Sequence, residues 1–188
     1  RYGQQIINDG GVTCDRLDVK GLDIVRSSFP PAMRKLMTQV LKDILSDVEK
    51  DEIDEKILKF KKLMKTADIQ DIALPTGVRK LSKFKDTRTR GGVFTTMHKG
   101  TPVHVKAAWI YNDFLKYWNL TNFEQIKSSE KIKWVYLKPN SMNVKQIAFK
   151  GYDDPPKIMD FILENIDYEK LFERALEKKI RMFYYNFG

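Results

Sequence analysis

The chain has 188 residues, 42% of them hydrophobic, which allows one ordinary domain or two small ones with a packed core. Its net charge of +9 favours an acidic partner, nucleic acid or an anionic membrane face, although solubility alone also explains a basic chain. The single cysteine, Cys14, excludes an internal disulfide, His98 and His104 lack zinc-ligand spacing, and no apolar run approaches the ~18 residues that cross a bilayer or reads as a signal peptide.

The first twenty-five residues read as two extended segments around a turn at Asn8-Asp9-Gly10-Gly11, because Asp-Gly and Gly-Gly supply the positive φ of a hairpin. The period then changes. Met33, Leu36, Met37, Val40, Leu41, Ile44, Leu45 and Val48 mark one face of an α-helix. Ser28 is its expected cap, with Pro30 or Pro31 in the first turn, where a missing N–H costs nothing. Ile53, Ile57, Phe60 and Met64 predict a second amphipathic helix after a break near Asp51.

The segment from Ile69 to Gly100 has sparse apolar residues and loop signals at Pro75, Gly77, Gly91, Gly92 and Gly100. Thr101 then caps a predicted helix with Pro102 at its first position and an apolar face of Ala107, Ala108, Tyr111, Phe114, Leu115 and Trp118. Lys131 to Phe149 reads as a β-hairpin with its turn near Pro139-Asn140-Ser141. A short helix follows Asp153-Asp154-Pro155-Pro156. A last one begins at Asp167 and carries Tyr168, Leu171, Phe172, Ala175, Leu176, Ile180 and Phe183. The expectation is an α+β chain, mainly helical. The aromatic stripes are core at that spacing rather than a ligand box.

The charge is not spread evenly. Between Gly77 and Lys106, Arg79, Lys80, Lys83, Lys85, Arg88, Arg90, Lys99 and Lys106 face Asp86 alone. Thr87, Thr89, Gly91, Gly92, Thr95 and Thr96 are interleaved. Small residues let backbone N–H groups approach a phosphate, and hydroxyls and cations add donors. The bland alternative is a solvated basic loop. His104, near a helix start, could donate to a phosphate or cap the helix, and both remain open. No Ser/His/Asp set and no phosphate-loop motif is present, and Asp153-Asp154, in a Pro-rich turn, reads as solvating a loop or capping a helix. No catalytic or metal-ligating residue is assigned.

The opening "RY" followed by "LDVKGLDIVRSSFPPAMRKLM" resembles the B-family DNA polymerases, and within them the T-even bacteriophage branch. There a Lys-x-Arg-Tyr type strand precedes a K-x-x-G-L-E-x-x-[KR]-S-S-x-P segment that leads into the thumb. Arg1 and Tyr2 match the end of the first motif. Lys20, Gly21, Leu22, Arg26, Ser27, Ser28 and Pro30 match the second, with Asp23 for the usual Glu. "IQDIALPTGVRKLSKF" is similar to the thumb loop that ends in "IAKY", with Thr76, Gly77, Val78, Arg79 and Lys80 in the turn. "TPVHVKAAWIYN" and "IDYEKLFERAL" resemble two thumb helices of that branch.

The resemblance implies that residues 1–27 are the C-terminal edge of a palm and residues 28–188 a thumb. It implies a C-terminal fragment of a replicative DNA polymerase that grips primer–template duplex DNA through phosphate and minor-groove contacts. The implied contacts are Arg1, Tyr2, Lys20, Gly21, Arg26, Ser27, Ser28, Thr76, Gly77, Arg79, Lys80, Lys83, His104 and Lys106. Two magnesium ions and a Tyr-x-Asp-Thr-Asp type turn belong to the parent polymerase, and nothing in this sequence matches that turn, so this chain alone is expected not to polymerise and to need no cofactor. Its partners would be the remainder of the polymerase and, in the parent, a sliding clamp held by a C-terminal peptide missing here. No membrane is expected, and the site of action would be the cytoplasm of an infected host. The alternatives are a stand-alone basic nucleic-acid-binding adaptor and a helical protein-interaction domain with incidental charge.

Overall fold

The computed structural model describes residues 2–9, 12–20, 29–86 and 93–187, with side chains over 29–86 and 93–182. It is α+β and divides into two compact units, residues 1–72 with 172–188, and residues 73–171.

The first unit opens with β1 (Tyr2–Asp9) and β2 (Val12–Lys20), an antiparallel pair. Asp9 faces Val12, so the connection is Gly10-Gly11, the two glycines singled out in the sequence. The register slips between Ile6 and Asn8, a bulge in the ladder.

Helix α1 (Pro31–Leu45) places Pro31 in its first turn, as the sequence predicts. Pro30 stands at the cap position with no side-chain cap, so the helix start relies on proline geometry. Ser28, the expected cap, lies outside the described residues. Met33, Met37, Val40 and Leu41 form the buried stripe. The break before α2 (Lys50–Met64) falls earlier than expected, because Asp47 turns left-handed at φ 54°. Lys56 reaches back from α2 to the buried Asp43 carboxylate of α1 at 2.6 Å, and Gln39 Nε2 donates to the same carboxylate at 2.9 Å. α3 (Ile69–Ile72) packs on α1.

The second unit is built on a three-stranded antiparallel sheet in the order β3 (Leu74–Gly77), β4 (Lys131–Tyr136), β5 (Gln146–Phe149). The β4–β5 pair is the predicted hairpin. Asn140 closes its connection: its side-chain amide donates to the Lys138 and Val144 carbonyls, and its oxygen accepts from Met142 N. The third strand corrects the expectation of a plain hairpin. Leu74–Gly77 reads as loop because it contains Pro75 and Gly77, yet it pairs with Lys131–Trp134. It is an edge strand, where a proline need not break a ladder.

Helix α4 (Val103–Tyr117) lies against β4 and β5. Ala107, Ala108, Tyr111, Phe114 and Leu115 are buried on it as the periodicity requires. Full burial of a side chain as large as Phe114 contributes about 1.5–3 kcal/mol. Its start is corrected by one residue: Pro102 is the cap, and Thr101 precedes it and donates its hydroxyl to the His98 carbonyl at 2.6 Å. His104 is accordingly the second helical residue rather than the third. Phe94, Phe114, Trp118 and Phe161 form an aromatic cluster, with Phe114 and Phe161 edge to face at 5.1 Å.

Asp154 neither solvates its loop nor caps α5 (Pro156–Asn165). Its oxygens accept from Lys150 N, Gly151 N and the Tyr111 hydroxyl. Asp167 does cap the last helix, accepting from Lys170 N at 3.0 Å. That helix runs as α6 (Tyr168–Phe172), a wider π turn over Glu173–Glu177, and α7 (Lys178–Phe187). Phe172 meets Phe60 at 6.0 Å within the first unit, and Lys179 sits over the Phe29 ring.

Candidate nucleic-acid interface

The site is a broad open recess of about 880 Å³ on the second unit. Two chain segments form its walls. The first follows β3 and carries Gly77, Val78, Arg79, Lys80, Ser82 and Lys83. The second is the turn into β4, with Ser128, Ser129 and Lys131. Every charged lining side chain is a cation, and all four are exposed.

Local geometry turns those cations outward. Lys80, three residues beyond the end of β3, adopts the left-handed conformation at φ 53°, ψ 51°. A 3-10 turn over Leu81–Phe84 follows, with Leu81 buried beneath it. Ser129 in the opposite wall is also left-handed, at φ 74°. Each such residue costs about 1–2 kcal/mol, so the surrounding contacts must hold both.

Those contacts are visible. Val78 N donates to the Glu130 carbonyl at 3.0 Å and Ser129 N donates to the Val78 carbonyl at 2.6 Å, which extends the β3–β4 ladder through the recess floor. Leu81 N donates to Ser128 Oγ at 3.1 Å and ties the two walls together. Helix α4 anchors both. Trp109 Nε1 donates to the Leu81 carbonyl at 3.1 Å, and the buried Asn112 side chain satisfies both the N–H and the carbonyl of Ile126. The recess is thus held by these bonds from within, while the side chains of Arg79, Lys80, Lys83 and Lys131 stay exposed to meet an anion.

Further along, Lys85 Nζ stacks over the Trp109 ring at 5.5 Å. The backbone of Lys85 bridges Met97, and Asp86 N donates to the Thr96 carbonyl at 2.8 Å. Thr95 donates from both N and Oγ1 to the buried Asp113 carboxylate, each at 2.7 Å. Burial raises the Asp113 pKa, and the Thr95 bonds, Lys116 and Lys85 oppose that rise.

Of the residues singled out in the sequence, Gly77, Arg79, Lys80 and Lys83 meet in this recess. Thr76 is one residue away in β3 and does not line it. His104 and Lys106 stand on the first turn of α4, outside the lining. His104 is half-buried, and burial lowers its pKa, so the neutral imidazole is favoured there. Tyr2 and Lys20 are backbone partners across the β1–β2 ladder in the other unit. Arg1, Gly21, Arg26, Ser27, Ser28, Arg88 and Arg90 lie outside the described residues. Sequence reasoning missed Ser128, Ser129 and Lys131; the run Lys127-Ser128-Ser129-Glu130-Lys131, a second small and basic stretch, was the available signal.

Chemically, the recess offers point charges, a guanidinium, serine hydroxyls and backbone N–H groups. These are the donors that bind phosphate oxygens without reading a base. Among the described residues no three His, Cys, Asp or Glu side chains come together as metal ligands. No helix among them is long and apolar enough to cross a membrane.

No curated protein matches the chain. Among solved structures it is similar to the family B DNA polymerase of the hyperthermophilic archaeon Pyrobaculum calidifontis, at 16% identity and a TM-score of 0.42. The match covers 87% of this chain and 19% of that polymerase, so the chain spans about a fifth of that protein's length. Residues 1–185 match the family model for DNA polymerase family B, and the chain belongs to that family.

Proposed function

We propose that the chain is the palm edge and thumb of a replicative DNA polymerase of the T-even phage type, and that the recess holds backbone phosphates of the primer–template duplex. Residues 1–27 would belong to the palm and 28–188 to the thumb. Nucleotide transfer, with its two magnesium ions, would be carried by other parts of that polymerase, in the cytoplasm of an infected cell. A sliding clamp would join the same assembly.

The observation that carries this reading is the convergence of Arg79, Lys80, Lys83 and Lys131 around one recess with no acidic lining residue. Three of those cations stand in the segment that resembles the thumb loop. Cations gathered in an exposed recess repel one another, and an anion bound there relieves that repulsion. A solvated basic loop has no comparable reason to be tied to Trp109 and to Ser128 of the facing wall.

Fluorescence anisotropy on labelled duplex DNA tests it. Affinity should fall steeply with salt, with dissociation constants of roughly 10⁻⁴ to 10⁻⁶ M near physiological salt. Changing Arg79, Lys80 and Lys83 together to Ala should lower the log–log slope by about 0.9 for each phosphate that is no longer neutralised. Affinity should fall equally on every duplex sequence. An unchanged slope removes the recess from the DNA-binding surface, and a sequence-selective effect favours a base-reading adaptor.

A further inference from the structure

Glu130 is the carboxylate that could spoil the recess. It stands between Ser129 and Lys131, both of which line the wall, and its own carbonyl accepts from Val78 N in the recess floor. Its side chain, however, is not part of the lining. It meets Lys150 Nζ at 3.4 Å, and the Lys150 side chain is only 4% exposed. A lysine so deep is unusual in the absence of a partner charge.

The surroundings leave the Lys150 ammonium few alternatives to Glu130. The Asp154 oxygens are occupied by Lys150 N, Gly151 N and the Tyr111 hydroxyl. Glu130 Oε2 is buried and makes no hydrogen bond, so the Lys150 charge is what compensates it. Lys150 itself is fixed at the end of β5, with its ammonium also over the Tyr152 ring at 5.7 Å.

We propose that Lys150 is a positioning residue for the cationic recess: its buried ammonium holds the Glu130 carboxylate inward, so that the wall from Ser128 to Lys131 presents hydroxyls and a cation but no anion. The proposal rests on the recess being an anion site. Without Lys150, Glu130 Oε2 would be buried with no compensating charge, and the half-buried carboxylate would turn toward water or another cation; Arg79, Lys80, Lys83 and Lys131 are the cations of the recess. The carboxylate would then compete with phosphate from inside the site.

Anisotropy with the 188-residue chain and labelled duplex DNA, over a range of salt, provides the test. Lys150→Met should weaken binding several-fold at low salt and lower the log–log slope by about 0.9, equivalent to removing one cation. Lys150→Arg should keep both. Glu130→Gln should bind as the wild type does, because a carboxylate held inward subtracts nothing from the recess, and adding Glu130→Gln to Lys150→Met should restore the slope. A general packing defect would not be rescued in slope by removing that charge. A folded Lys150→Met with an unchanged slope overturns the proposal. So does a Glu130→Gln variant with a steeper slope, which remains informative if Lys150→Met fails to fold. A wild-type chain without salt-dependent binding defeats the reading of the recess itself. In that case a crystal structure of Lys150→Met, or of Lys150→Gln, decides the positioning role: the Glu130 side chain should be turned into the recess, and finding it in its original place overturns the proposal.

Discussion

Trp109 Nε1 donates to the Leu81 carbonyl at 3.1 Å, from the middle of a buried helix to the first residue of the turn that displays Lys83. One side chain therefore connects the core of the second unit to the rim of its cationic recess. The same indole face carries Lys85 Nζ at 5.5 Å.

Replacing Trp109 by Phe should keep most of the apolar packing and remove that bond. The expected fall in stability is about 1 kcal/mol, read by urea unfolding. The turn at Leu81–Phe84 should exchange its amide hydrogens faster, and duplex affinity should drop even though no phosphate-binding side chain has been deleted. Unchanged exchange in that turn would show that the bond does not hold it.

Asn112 should matter more for stability than any residue of the recess. It is buried and pairs with both the N–H and the carbonyl of Ile126, at 2.7 and 3.0 Å. In Asn112→Ala both backbone groups are left without their partner, at about 1–3 kcal/mol each. Denaturant unfolding should register a drop of about 2–6 kcal/mol, and a drop below about 1 kcal/mol would mean that water replaces the amide.

Lys80→Gly should separate stability from binding. Lys80 holds φ 53°, a conformation that glycine adopts without cost, so the variant should gain up to about 1 kcal/mol in thermal unfolding. It also removes a cation from the recess. Duplex binding should weaken, with a slope lower by about 0.9, while the melting temperature rises. A fall in both would show that the lysine side chain supports the turn.

His104 provides a pH signature. Burial lowers its folded pKa below 6.5, so its contribution to stability is fully present above about pH 6.5. As pH falls from there through the folded value, the unfolded chain takes up the proton first and stability declines. His104→Gln should abolish that part of the pH–stability curve. It should leave the salt slope of DNA binding unchanged above about pH 6.5, because a neutral imidazole displaces no counterion. A lower slope in the variant would place His104 in the phosphate-binding set.

The long helices of this protein were legible in its sequence because each is a local, periodic pattern, whereas the four-residue α3 is too short to show a period and was not. Met33, Met37, Val40 and Leu41, or Ala107, Tyr111 and Phe114, recur at helical spacing, and burial of one face follows directly. The β1–β2 pairing was legible for a similar reason, since Asp9-Gly10-Gly11 is a local hairpin signal in the sequence and Asp9 lies opposite Val12. Half of the recess was also legible, as Arg79, Lys80 and Lys83 are neighbours in the chain.

Tertiary structure decided the rest. Leu74–Gly77 is a strand only because Lys131–Trp134 lies beside it, against the local signals of Pro75 and Gly77. Ser128 meets Leu81 across forty-seven positions, and that pairing turns a run of basic residues into a two-walled recess. Whether Glu130 adds its charge to that recess depends on Lys150, twenty positions away and buried. Local propensity acts over a few residues. Strand pairing, wall closure and charge compensation join distant segments, and they exist only once the chain has been brought together.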